Sequence, residues 1–422
     1  MINIKNFSFS KIKPFEPFFW VYFVWYYLPI SRAAFRSATY NKLFFALFAI
    51  GCGLCILDYV ITHQTIHFQY NPLFPVLAYL LVFSILVLMD IGTAGKHIRV
   101  SFTFWGSLIA YYLTSVYPNA QKRLVRLGMC LLLVTSVTSL VGVIVNPRAA
   151  RILTYSANDI SEDLAISLLN IGGIAFFQGL VICVPILLSC FFQKRIRIIA
   201  ISALALIFIS LLSASFTISL IIFFVALALG YFANNSMHSR VILVILCCLI
   251  IILIPWSDLL MYISENINNS TISDRLRSLA SSLSSGSLTG GLSSRFKLYF
   301  SSLNTFLEHP LGVGPEYTYV NYQNGIGYHS QLLDDLARYG IFALAFYVAF
   351  FFGYYKLLKR QWSKINMKQI AFPVVAVYLL FLIFNPGFTS PHEGVLMLLL
   401  IPALPDIFYK NDIGTQSINN ET

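Results

Sequence analysis

Long apolar runs separated by short polar loops fill most of this chain, and one extended polar stretch, from Trp256 to Tyr339, interrupts them. A helix needs about 20 mainly apolar residues to cross the hydrocarbon core of a bilayer. Windows of that kind fall at 15–31, 43–61, 71–89, 100–117, 124–145, 164–192, 198–213, 216–232, 241–256, 338–355, 370–384 and 394–408. The pattern predicts an all-α polytopic membrane protein with about twelve transmembrane helices and one large outer loop. It divides the chain into an N-terminal transmembrane bundle at 1–256, a loop at 257–337, C-terminal transmembrane helices at 338–408 and a disordered cytoplasmic tail at 409–422. Chemistry on a water-soluble group has to be built mainly in the polar stretch.

Composition agrees. Hydrophobic residues make up 58% of the 422 positions and charged residues 11%, less than half the charge of a soluble domain, and the mean hydropathy is +0.76. The net charge of +11 does not imply a nucleic-acid partner, because the basic residues lie in short loops, where they set topology and meet lipid head groups. All seven cysteines sit in apolar runs, which speaks against a disulfide framework or a zinc site. The N-terminus lacks a small-residue cleavage site and carries Glu16, Pro17 and Pro29, so it reads as a retained first segment.

Orientation is clearest in the C-terminal half. Lys194, Arg195, Arg197, Arg240 and the cluster Lys356, Lys359, Arg360, Lys364 and Lys368 fall on one face, while Ser213–Ser215 and Asn385–Glu393 carry no Lys or Arg. The basic face belongs in the cytoplasm, so the 257–337 loop and 146–163 face outward. The first third obeys this poorly, since twelve spans would put Arg32, Arg36 and Lys42 outside. The aromatic-rich segments Phe15–Ile30 and Ser101–Tyr117 are the ones that fit a crossing least well.

Within the loop, the Ser/Gly-rich Ser278–Ser294 reads as a flexible connector. Phe296, Tyr299, Phe300, Leu303, Phe306 and Leu307 then recur at helical spacing and predict an amphipathic helix over 294–307, with Arg295 at its start. A guanidinium there can grip a phosphate bidentately, or simply rest among lipid phosphates. Pro310, Gly312 and Gly314 break the chain just after His309, and Gly325 and Gly327 break it again before Tyr328; His309 and Tyr328 are candidates for substrate contact. Ser330 makes an N-cap for a helix through Leu332, Leu333 and Leu336 that runs on into the next span. His329 would then stand at an open helix N-terminus that favours an anion such as a pyrophosphate, or serve only the fold. Asp334 lies four residues before Arg338, an ion-pair spacing. No Asp-x-Asp occurs in the outer loops, so no metal site is expected. Arg148 and Arg151 add positive charge on the same face, and His392–Glu393 forms a short outer turn beside the loop or a plain interhelical turn.

The order Ser294-Arg295, an aromatic amphipathic helix, His309-Pro310-Leu311-Gly312-Val313-Gly314, then His329-Ser330 with Leu332-Leu333-Asp334 and Arg338-Tyr339-Gly340 resembles the O-antigen polymerase and ligase superfamily. The resemblance covers about fifty residues, with Tyr299 where the family often has tryptophan. It implies a GT-C-like inner-membrane glycosyltransferase that uses an undecaprenyl-diphosphate-linked glycan as donor on the periplasmic face, with no cofactor. It also implies that Arg295 and His329 are the catalytic pair; the reading of the loops adds Arg148, Arg151, Ser330, Tyr328, His309 and His392 as candidate substrate contacts. His-Ser followed by Leu-Leu-Asp and Tyr-Gly looks more like a polymerase than a ligase. The partners it implies are lipid-linked donor and acceptor glycans, membrane lipids and a chain-length regulator protein. A transporter is the reading from another class, and it needs ionisable groups within the spans, where Asp58 is the most convincing.

Overall fold

The structure is a computed structural model that describes residues 12–35, 37–63, 94–146, 149–150, 169–193, 196–214, 216–235, 255–266, 270–285, 290–314, 325–388 and 390–408. The described residues are helical, with no strand among them. The expected windows at 71–89 and most of 241–256, the tail at 409–422, and Arg148 and Arg151 lie outside the described residues.

Helix α1 (Glu16–Tyr27) gives way to α2 (Pro29–Ala34) at Leu28, whose φ of −78° and ψ of 120° are the extended backbone that a following proline enforces. α1 is sealed into the bundle by its aromatic side chains, and Trp25 stacks on Phe44 of α3 (Ala38–His63) with ring centroids 4.2 Å apart. α4 (Ala94–Thr114) precedes α5 (Pro118–Val145), which begins on a proline that has no first-turn N–H to lose. Arg123 of α5 holds the buried Glu16 at 2.6 Å, and Lys13 holds Asp58 at 3.0 Å. Asp58 is therefore a paired structural charge, which removes the residue on which a transport reading leaned.

α6 (Ile174–Ile182) and α7 (Val184–Phe191) are two halves of one apolar rod that Pro185 interrupts. α8 (Arg197–Ser213) and α9 (Thr217–Asn234) follow. The polar stretch then supplies α10 (Trp256–Asn266), α11 (Ser270–Ser285) and α12 (Gly290–Glu308), followed by the short α13 (Gln331–Tyr339). α14 (Ile341–Ser363), α15 (Ala371–Phe384), α16 (Pro391–Gly394), a π-helical turn (Val395–Leu400) and α17 (Ile401–Phe408) complete the bundle. All six residues of that π turn are buried, and it packs against α4 and α5. A π turn displaces its carbonyls from the regular ladder. Here Tyr354 donates to the Met397 carbonyl at 2.6 Å and Trp362 to that of Ile401 at 3.1 Å.

Among the described residues, six helices are long and apolar enough to cross a membrane: Thr39–Thr62, Pro118–Val145, Ile174–Phe191, Thr217–Asn234, Ile341–Ser363 and Pro391–Phe408. Arg197–Ser213 and Lys368–Phe384 are shorter apolar helices. The two aromatic-rich segments, now α1 with α2 and α4, are helical but are not among the six.

The serine-rich stretch departs from expectation. Up to Ser285 it is helix, because Leu276, Leu279, Ala280 and Leu283 repeat at helical spacing and Ala280 is buried. Ser273 of α11 also donates to the Ser264 carbonyl of α10 at 2.7 Å, which closes the two helices into a hairpin. Composition alone misleads here.

Candidate active site

α12 carries two unlike faces. Phe296, Phe300 and Leu307 point outward and are exposed, while Ser301, Ser302 and Thr305 on the opposite side are buried. The helix therefore docks by hydroxyls rather than by grease, the reverse of a water-soluble amphipathic helix. Arg295 lies six residues into α12 rather than at its start, because the helix begins at Gly290.

The hydroxyl face receives the chain at 325–330. Gly325 donates to Thr305 Oγ1 at 2.8 Å, and Ser301 reaches the Gly325 carbonyl at 3.1 Å. Gly327 donates to Ser302 Oγ at 2.8 Å, and Ser302 in turn donates to Asp334 Oδ1 at 2.6 Å. Gly327 must be glycine, since a Cβ there would run into the Leu298 carbonyl. From Gly325 beside Thr305 to Gly327 beside Leu298, the segment runs toward the N-terminal end of α12, the direction of Arg295. Tyr328 then takes a left-handed φ of 57° and turns the chain into α13.

Ser330 caps α13 as its sequence position predicts, accepting from Leu333 N–H at 3.1 Å. Its own N–H goes to Asp334 Oδ2 at 3.2 Å. The end of α13 is not an open anion socket, however. Gln331 N–H is taken by the Asn385 carbonyl at 3.1 Å, and Asp334 N–H by the Ser330 carbonyl at 2.9 Å. The Asn385–Gly387 turn after α15 closes that end, and Gly387 also donates to Gln331 Oε1 at 3.0 Å.

The other end of α13 is closed by the run after α12. Val313 and Gly314 donate to the carbonyls of Ala337 and Arg338 at 3.0 and 2.9 Å, and Ile341 donates to Pro310 at 2.9 Å. Gly312 (φ 90°), Gly314 (φ 93°) and Gly340 (φ 61°) all adopt backbone that suits glycine. His309-Pro310-Leu311-Gly312-Val313-Gly314 is therefore a lock on the C-terminus of α13. The helix, about 13 Å long at 1.5 Å per residue, separates the exposed His309 from His329.

Arg295 and His329 each lie close in the chain to a residue that touches α15. The Arg295 guanidinium acts on the Tyr299 phenol, which burial pushes up and Arg295 pulls partly back. Tyr299 donates to the Phe384 carbonyl at 2.9 Å. Gln331, two residues beyond His329, donates to the next carbonyl, that of Asn385. The groups that touch the C-terminal end of α15 are thus Tyr299, on which Arg295 acts, and Gln331, two residues beyond His329. Among the described residues Arg295 has no carboxylate partner, and His329 Nδ1 is buried with no hydrogen-bond partner.

Asp334 does not form the expected pair with Arg338. Instead Arg338 lies 3.6 Å from Asp335, and its guanidinium stands 5.0 Å from the Tyr328 ring centroid. Tyr347 donates to Asp335 Oδ2 at 2.6 Å and Gln331 at 2.7 Å. Burial pushes the Asp334 carboxyl up, the Ser302 hydroxyl, Arg338 and Ser330 N–H only partly offsetting it. The folded state therefore holds its proton more tightly than the unfolded state does. Its contribution to stability is present in acid and falls as pH rises through the folded-state value. Ser302→Ala would leave both Gly327 N–H and Asp334 Oδ1 without their partner. It is expected to cost about 1–3 kcal/mol, read as a lower thermal-unfolding midpoint; an unchanged midpoint would show that the seam does not depend on Ser302.

His392 stands apart from this place. It is buried, its Nε2 lies 2.7 Å from the Tyr27 carbonyl, and its ring is packed between Tyr27 and Phe176. The segment expected to be an outer turn is a short helix entering the bundle, because Pro391 starts a helix at its first position. Next to it, Glu393 is buried with Oε2 unpartnered, beside Gly387. The sequence reading placed Asn385 only in an outer turn beside the loop and passed over Gln331 and Ser302 as parts of the site. Its available signal was the Asn385-Pro386-Gly387 turn on the face without basic residues.

Fold and composition define the class first: a multi-pass, all-helical membrane protein whose polar stretch is docked against the end of a bundle helix. Within it, residues 199–348, about a third of the chain, match the family model described as O-antigen ligase. That match supports the O-antigen ligase and polymerase superfamily for this chain. It takes in Arg295, His309, Tyr328, His329 and Ser330, and leaves Arg148, Arg151 and His392 outside. No curated protein matches the chain.

Proposed function

We propose that the chain polymerises undecaprenyl-diphosphate-linked oligosaccharide repeat units, on a GT-C-like scaffold in a bacterial inner membrane, with its site on the periplasmic face. One observation supports this above others. Within the family-matched residues, Arg295, with no carboxylate partner among the described residues, acts on Tyr299, which donates to the Phe384 carbonyl, and His329, with an unpartnered ring nitrogen, lies two residues before Gln331, which donates to the adjacent Asn385 carbonyl.

The reaction is an inverting transfer. An acceptor hydroxyl oxygen bonds to the anomeric carbon of the donor sugar as the bond from that carbon to the diphosphate oxygen breaks. The electron pair leaves with undecaprenyl diphosphate, and the hydroxyl proton passes to His329. Charge grows on the diphosphate in the transition state, so a cation already in place lowers the barrier. Arg295 has that role, Tyr299 fixes its reach, and His329 accepts the proton and orients the hydroxyl. Arg295 can carry this charge without a metal. Purified protein given lipid-linked repeat units should lengthen the glycan; glycans unchanged in length would overturn the reading.

The description of the matching family, O-antigen ligase, favours a second version of the same chemistry, ligation of the glycan to lipid A core. Gene deletion separates the two. Loss of a polymerase leaves single repeat units on the surface lipid, and loss of a ligase leaves none.

A further inference from the structure

Among the described residues, none covers the outward face of α12. Phe300 is 57% exposed and Leu307 64%, and with Phe296 they fall at i, i+4 and i+11, within a narrow arc of the helix. Leu311, just beyond the helix, is 73% exposed. Soluble proteins rarely leave so contiguous an apolar edge uncovered.

The neighbouring span says what covers it. α14 is one of the six membrane-length helices, and Ile341, Leu344 and Val348 form an exposed apolar stripe down it. Ile341, its first residue, donates to the Pro310 carbonyl. That bond seats Leu311 at the upper end of the stripe, and α12 ends only two residues before Pro310. The apolar edge of α12 is therefore continuous with a surface that faces hydrocarbon. Lys297 is exposed beside this edge and Arg295 is half-buried on the way to the hydroxyl face, where basic side chains reach phosphate head groups with their stems in the apolar layer.

We infer that α12 is an interfacial helix with Phe296, Phe300, Leu307 and Leu311 immersed in the outer leaflet, the occupant of this face being bilayer lipid rather than a protein partner. Its hydroxyl face stays bound to 325–334, so the membrane surface sets the height of Arg295, at the head-group level. Only the use of that height for a diphosphate rests on the proposed function; the immersion does not.

Photo-crosslinking tests it without reference to activity. Full-length protein carrying a benzoyl-phenylalanine at position 300, and separately at 311, is irradiated in phosphatidylethanolamine–phosphatidylglycerol vesicles and digested for mass spectrometry. Phospholipid adducts at both positions, absent when the label replaces the exposed Glu308, are the expected result. Adducts to protein, or no adducts at all, would overturn the inference. The two labelled sites are exposed, so neither variant removes a core contact, and glycan extension measured on the same preparations reports on the proposed function separately.

Discussion

Alanine at Arg295 is expected to slow glycan extension by about 10²–10³-fold, the usual loss when one preorganised charge-stabilising group is removed from a transition state. The half-buried guanidinium has no carboxylate partner among the described residues, so no ion pair is broken by the change, and the protein should reach the membrane at its normal level. Lysine restores charge but not a planar fork, and should recover only part of the rate. His329→Ala is expected to cost about 10²–10⁴-fold, the range for losing a general base. The measurement is chain length on gels from cells with matched protein level, followed by rates with purified protein. Undiminished polymer from both variants would end the assignment.

Gly340→Ala is expected to be the most damaging substitution outside the reacting groups. Gly340 has φ of 61°, where an ordinary residue costs about 1–2 kcal/mol. Its Cβ would also collide with the Pro310 carbonyl, and crowding in a packed place adds about 1–3 kcal/mol. Relief requires the Ile341-to-Pro310 hydrogen bond to open, and with it the lock that joins α12 to α13. The variant should show a thermal midpoint lower by several degrees and lose extension as well. Full stability would mean that the lock is not rigid.

Much of the helical content was legible because apolar length is a strong signal in a membrane chain. The segments that fit a crossing poorly are short or aromatic and became α1 with α2, and α4, which pack on neighbouring helices. Ser278–Ser285 misled because serine content was weighed above the spacing of its leucines. Ser330 as a cap was readable, since capping is a local rule. That the end of α13 is closed was not, because Asn385, whose carbonyl closes it, lies 54 residues beyond Gln331. The pairing of Arg338 with Asp335 rather than Asp334 has the same origin: Ser302, remote in sequence, claims Asp334 first.

The hydroxyl seam between α12 and 325–334 also bears on how the protein must be handled. Its hydrogen bonds hold because lipid on one side and the bundle on the other keep bulk water from competing for them. A small, thin-shelled detergent would flood that seam and let α12 swing away, lowering the melting midpoint, while the helical bundle, packed by aromatic side chains, keeps its helical content. A preparation can therefore look well folded in a micelle and be inert, and reconstitution into a lipid disc should bring its turnover back.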